Sequence, residues 1–254
     1  MNHHDLVAAF KGIIYRNGEG YLFNNKKLLF TAGSRPVRRK YINSESDVVR
    51  NDVLQINYFE QNFKPDNVLW DIGAHNGIYS IFAASVAKGN DQVFSFEPDN
   101  VAREIQLKNI RLNKMQNRIT VFDMAVSDHN GTLHFQALGG NANSHIIKDE
   151  NYSDSNTIEV KTKTLDTLAQ ELPLPTYVKI DTEGAEIDIL RAGEILLRNK
   201  DITFICELHP FAWNSFNVTY NDFLEILKKY DRQVKLLDPR KKLEDLPYYG
   251  TVIF

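Results

Sequence analysis

Two short runs hold the side chains best suited to acid–base work. Lys179, Asp181 and Glu183 stand within Lys179-Ile180-Asp181-Thr182-Glu183-Gly184, and Glu207 and His209 within Cys206-Glu207-Leu208-His209-Pro210. An imidazole, or a carboxylate, can take the proton of a hydroxyl while that oxygen forms a new bond. The bland alternative is that Glu207 pairs with Lys179 and His209 opens a turn at Pro210, because polar groups at strand ends often satisfy only local partners. A third run, Val68-Leu69-Trp70-Asp71-Ile72-Gly73-Ala74-His75-Asn76-Gly77, offers a carboxylate, Asp71, followed by a glycine turn. Gly73 lets the backbone turn and approach a ligand, and Gly77 lets the next element pack close. Glu97 falls about 20 residues past the turn, the separation of an acidic residue that accepts hydrogen bonds from ribose hydroxyls. The turn is not G-x-G-x-x-G, so the ligand implied is a nucleoside without a pyrophosphate, a description that S-adenosylmethionine meets. An NAD-linked oxidoreductase is the rival, since Glu97 would serve that ribose too; the missing third glycine pattern argues against it.

Such groups act together only if a scaffold gathers them. Gly12 to Tyr15 and Tyr21 to Phe23, around the turn Asn17-Gly18-Glu19-Gly20, have the spacing of a hairpin. Ser46 or Asp47 then caps a helix through Phe63, which Pro65 stops. From there strands and helices alternate: strand 68–70, helix 77–87, strand 93–96, helix 100–112, strand 119–122. Residues 131–137 alternate like an antiparallel strand, and the polar stretch 139–156 reads as a surface loop and a candidate lid. A helix at 165–171, a strand at 177–180, a helix at 185–198 and a strand at 202–206 complete the alternation. A helix at 222–230 and two apolar pieces, 234–237 and 251–254, suit a closing edge hairpin. The pattern predicts an α/β fold, a mostly parallel sheet with helices on both faces and ligands beyond the strands' carboxyl ends. There Lys179, Asp181 and Glu183 end the fourth strand, and Glu207 and His209 the fifth, facing one substrate. Residues 1–64 are then an extension packed on a core domain of residues 65–254.

Four blocks in this order make the chain resemble the FkbM family of S-adenosylmethionine-dependent methyltransferases. They are Trp70 to Gly77; Phe96-Glu97-Pro98; Ala125-Val126-Ser127-Asp128-His129-Asn130-Gly131; and Lys179-Ile180-Asp181-Thr182-Glu183-Gly184-Ala185-Glu186. The resemblance runs from about Asn67 to Leu208. It implies a Rossmann-like class I methyltransferase fold with a seven-stranded sheet, S-adenosylmethionine as methyl donor, and O-methylation of a sugar, nucleotide-sugar or similar small metabolite. It implies that Asp71, Gly73 and Glu97 bind the cofactor's amino-acid part and ribose, with Ala74, His75, Asn76, Gly77, Pro98 and Asp181 nearby and Asp123 and Met124 meeting adenine. At Ala74-His75 the family commonly reads Ala-Asn, so His75 is a departure. Two reaction centres are open: His209 or a carboxylate as general base, or Asp181, Glu207 and His209 holding Mg or Mn, as in catechol-type relatives of the fold. The metal-free version is the working expectation. Glu186 reads as a cap or helix-surface residue, and the aromatics Phe211, Trp213, Phe216 and Tyr220 as either acceptor wall or core.

The 254 residues, 43% hydrophobic and 25% charged, suit one elaborated globular domain. A net charge of −3 gives no general case for nucleic acid or membrane as partner, although Arg35, Arg38, Arg39 and Lys40 form a local basic cluster. The one cysteine, Cys206, sits in an apolar run as a buried thiol, and no stretch has the length of a spanning helix or secretory signal, so a cytoplasmic protein is expected. A non-catalytic nucleoside-binding regulator is the remaining alternative; carboxylates kept at both strand ends argue against it.

Overall fold

The computed structural model describes residues 20–31, 34, 36, 41–90, 92–140, 143–148, 154–242 and 249–254. Strand β1 (Tyr21–Phe23) pairs antiparallel with β2 (Lys26–Leu28). Asn24 and Asn25 make the turn with φ of 47° and 61°, the left-handed pair that matches hairpin twist. The expected strand at Tyr21 therefore exists but pairs forward; the expected partner at 12–15, most of its turn, and the basic cluster at 35–40 lie outside the described residues. Helix α1 (Asp47–Asn62) starts where the Ser46 hydroxyl accepts from the Val49 N–H. It ends before Pro65 and buries Val53, Ile56 and Phe59.

The alternating part follows as β3 (Leu69–Ile72), α2 (Ile78–Val86), β4 (Val93–Phe96), α3 (Asn100–Leu112) and β5 (Ile119–Phe122). A second sheet comes next: β6 (Ala125–Val126), β7 (Gly131–Gln136), β8 (His145–Ile147) and β9 (Thr157–Lys163), in the order β6-β9-β7-β8. Only β7 of these was expected. Strand β9 has only Val160 and Thr162 buried, so its polar half reads as loop, and β8 is a three-residue strand inside the stretch expected to be loop.

Then come α4 (Leu165–Glu171), β10 (Tyr177–Ile180), α5 (Glu186–Arg191), α6 (Glu194–Arg198), β11 (Thr203–Leu208), a 3₁₀ turn at Trp213–Phe216, α7 (Tyr220–Lys229), β12 (Lys235–Leu236) and β13 (Gly250–Ile253). The helix expected at 185–198 is two, broken at Ala192-Gly193. The main sheet has seven strands in the order β12-β13-β11-β10-β3-β4-β5. Strand β13 is antiparallel to both β11 and β12, so the two apolar pieces pair at the sheet edge as expected, with β12 outermost.

Side chains alternate across the strands and divide the core in two. Trp70, Ile72, Phe204 and Cys206 face α5, α7 and the second sheet. Leu69, Val93, Ile119 and Ile205 face α1, α2 and the hairpin, where the Phe23 ring stacks on Phe82 at 4.3 Å. Cys206 is buried as expected. Among the described residues no helix is long and apolar enough to cross a membrane.

Candidate functional site

From β3 the chain moves outward through β4 and β5, then returns to the other side of β3 as β10 and β11. This reversal opens a crevice beyond the carboxyl ends of β3 and β10, where ligands bind on such sheets. The ends of β3 and β10 meet closely there. A Cβ on Gly73, whose φ is 74°, would sit 1.8 Å from the Asp181 carbonyl oxygen, so glycine alone fits both the conformation and the contact.

Two cavities share this point. A slot of about 50 Å³ runs between Gly73, His75, Glu97 and Pro98 on one side and Ala125, Val126, Phe135 and Ile146 on the other. A cleft of about 560 Å³ is bounded by Ala74, His75, Asn76, Lys179, Asp181, Glu183, Glu207 and His209, with Asp47, Val48 and Asp52 from the α1 end and Tyr249 before β13.

Glu97 ends β4 at the slot and is buried. Its Oε2 accepts from the His75 N–H at 2.7 Å and its Oε1 from the Asp99 N–H at 2.8 Å. Burial outweighs these bonds and raises its pKa to about 7. The departure at His75 has a visible role. Its φ is 48°, a region asparagine and histidine tolerate, and its Nε2 meets the Gly140 carbonyl at 2.8 Å. Asp99 caps α3 through Oδ1, while its Oδ2 accepts from the Gly140 N–H and the Ser144 hydroxyl. The loop after β7 is thereby strapped over the slot.

Four expected cofactor residues lie elsewhere. Asp71 is fully buried beneath the turn, borders neither cavity, and accepts from the Ser80 hydroxyl at 2.6 Å. Asp123 is drawn to the surface by Arg103, 2.8 Å away. Neither it nor Met124 borders the slot; Ala125 and Val126 supply that wall. Gly77 also stays behind the wall, with its φ of 74° starting α2.

At the cleft floor, the buried Lys179 ammonium donates to Asp181 Oδ2 at 2.7 Å. Burial would raise Asp181, but Lys179 and then His209 outweigh it and hold its pKa low. Burial lifts Glu183 to about 7 against the pull of His209. Glu183 has a φ of 55°, a left-handed conformation rare for a long side chain, of the kind that collects at functional sites. Burial, reinforced by the Asp181 charge, also pushes Glu207 well above the usual carboxylate range. Its Oε2 accepts from the Gln55 amide at 2.6 Å, and its Oε1 from the Tyr249 hydroxyl.

Glu186 departs most from its expected role. It is buried at the start of α5, not on a helix surface, and accepts from His209 Nδ1 at 2.9 Å, the Gly184 N–H at 2.8 Å and Trp213 Nε1 at 2.9 Å. Burial opposes the imidazolium, but the Glu186 bond and charge, with Asp181 and Glu207, raise His209 to about 10. His209 Nε2 therefore points into the cleft as a donor, 3.6 Å from Glu183, 3.8 Å from Asp181 and 3.9 Å from Glu207. Ligand atoms of Asp181, Glu207 and His209 lie within 4.8 Å of one another. No local pattern marks Glu186, Gln55 or Tyr249, whose partners are 23, 152 and 42 residues away. Trp213 and Phe216 are buried core aromatics, whereas Phe211 stands 70% exposed at the cleft mouth.

Over 175 residues the chain is 26% identical to hexuronic acid methyltransferase AglP of Haloferax volcanii, covering 68% of this chain and 65% of that protein. It is 26% identical over 147 residues to 2-O-methyltransferase NoeI of Sinorhizobium fredii, covering 52% and 59%. The matches thus span less than two thirds of either relative. A putative rRNA methylase from Clostridium thermocellum shares the fold at a TM-score of 0.50 and 12% identity, over 78% of this chain and 89% of that one. Residues 71–234, most of both cavities included, match the methyltransferase FkbM domain, and the chain belongs to that family.

Proposed function

We propose that the protein is an S-adenosylmethionine-dependent O-methyltransferase acting on a hydroxyl of a saccharide or similar small metabolite. The observation that carries this is the pair of cavities meeting at Gly73 and Asp181, one lined by Glu97 and apolar side chains and the other by acid–base groups. The named activities of AglP and NoeI favour a sugar hydroxyl as acceptor.

The residues fit the cofactor on a physical test. Glu97 keeps free lone pairs for ribose hydroxyls after accepting two amides, and Phe96, Phe135 and Ile146 give apolar walls for a base. Ala74, His75 and Asn76 border the adjoining cleft, where the methionine part would extend.

Methyl transfer is an in-line displacement: the acceptor oxygen bonds to the methyl carbon, the carbon–sulfur bond breaks with its electron pair going to sulfur, and the hydroxyl proton leaves to a base. We assign that base to Glu183. It borders both cavities; Asp181 does too, but its Oδ2 is occupied by the Lys179 ammonium. His209, oriented by Glu186, would hold the carboxylates and acceptor oxygen in place.

A second reading has one observation in its favour. The converging atoms of Asp181, Glu207 and His209, with His209 Nδ1 fixed by a buried carboxylate, form a donor set that fits Mg or Mn. Such an ion, when bound, would hold the acceptor oxygen and lower its pKa.

Two measurements test these assignments. Calorimetric titration should show binding of S-adenosylhomocysteine and none of NAD; NAD binding alone would overturn the proposal. Methyl transfer to a saccharide panel should fall at least tenfold in Glu183→Gln and His209→Ala. Chelator sensitivity together with direct calorimetric binding of Mn would select the second reading, and full activity in both variants would remove both mechanisms.

A further inference from the structure

The acceptor cleft does not end at Glu183. Past Glu183, Asn143 and Phe211, which border both spaces, it continues into a groove of about 390 Å³. Its volume is in the range of sites that take a small molecule. Leu138, Ala212 and Phe216 line it with apolar groups, and His145 and Ser215 with polar ones. Phe211 stands where the two spaces join, 70% exposed, with its ring edge-on to the His209 ring at 5.6 Å and 87°.

We propose that this groove is a second saccharide subsite, so that the acceptor is an oligosaccharide with one ring in the cleft and its neighbour in the groove. The inference rests on the saccharide reading of the acceptor. A pyranose ring has faces of C–H groups and a rim of hydroxyls, which the apolar and polar lining groups match. Among the described residues that border the groove, Glu183 is the one carboxylate and there is no lysine or arginine, a lining that suits a neutral ring. Continuity with the cleft favours a ring linked to the methylated one over a separate ligand. Phe211 lies at the join and would contact both.

The experiment compares labelled methyl transfer to glucose, galactose, mannose, fucose and N-acetylglucosamine with transfer to their di- and trisaccharides and octyl glycosides. For the productive sugar, kcat/KM should rise at least tenfold from one ring to two. Ser215 is exposed, so Ser215→Trp can fill the groove without disturbing the core. That variant should lose the gain while keeping the single-ring rate and the affinity for S-adenosylhomocysteine. Equal kcat/KM for one and two rings, or a gain that survives Ser215→Trp, would overturn the subsite. A gain from the octyl chain equal to that from a second ring would overturn it in favour of an alkyl-binding groove. Binding of S-adenosylhomocysteine with no sugar of any length methylated would instead refute the saccharide acceptor, and the subsite with it.

Discussion

Glu97 and Glu186 are both buried carboxylates with different neighbours. Glu186 accepts from the His209 ring and from two N–H donors. Glu97 meets two backbone amides and no cation within hydrogen-bonding distance among the bonds described, and burial raises it to about 7. A carboxyl group whose folded pKa exceeds its unfolded value binds more protons folded than unfolded between the two. Stability is then greatest in mild acid and declines as pH rises from about 4.5 to about 7, by about 3 kcal/mol for this group alone. Thermal unfolding of the cofactor-free protein at pH 5 and pH 8 should show a lower Tm at pH 8. Glu97→Gln should reduce that difference; an unchanged slope in the variant would show that another group sets it. Spacing in the sequence located Glu97, because strand-to-strand separation in a βαβ unit is regular. It could not locate Glu186, whose significance comes from contact with His209 and Trp213 across a turn and a neighbouring strand.

Among the elements, those whose apolar pattern repeats cleanly were legible. Strands β4 and β5 and helix α3 fall at the residues that periodicity and capping give, because each buries a regular stripe. The second sheet was largely illegible for the opposite reason: β9 buries only two of its seven residues and β8 takes its register from β7, not from its own composition. The turn after β3 was legible in place but not in content. Its glycine is required by the Asp181 carbonyl on another strand, and Asp71 supports α2 from below instead of bordering a cavity. Gly73→Ala should therefore be among the most damaging single changes in the crevice. We expect a loss of about 3 kcal/mol or more in urea unfolding, from strain and forced separation of β3 and β10, with S-adenosylhomocysteine binding abolished. Normal stability in that variant would mean that the two strand ends are not held together.

For the molecule as a whole, the hairpin and α1 share a hydrophobic cluster with β3, β4 and α2. We propose that the described residues 20–30 and 47–63 fold with the sheet and not as an appendage. Phe23→Ala, which removes a fully buried ring stacked on Phe82, should cost about 3 kcal/mol or more, as large-to-small core changes do. A single urea transition shifted by that amount is the expected result; a loss below about 1 kcal/mol would indicate a loosely attached hairpin.

Helix α1 also brings Asp47, Val48 and Asp52 to the cleft and Gln55 to Glu207, and Tyr249 closes the far side. All five lie outside residues 71–234, the span shared across the family. One wall of the cleft is thus built outside the span shared across the family, so the flanking segments can diverge and reshape that wall while the residues of the shared span are kept.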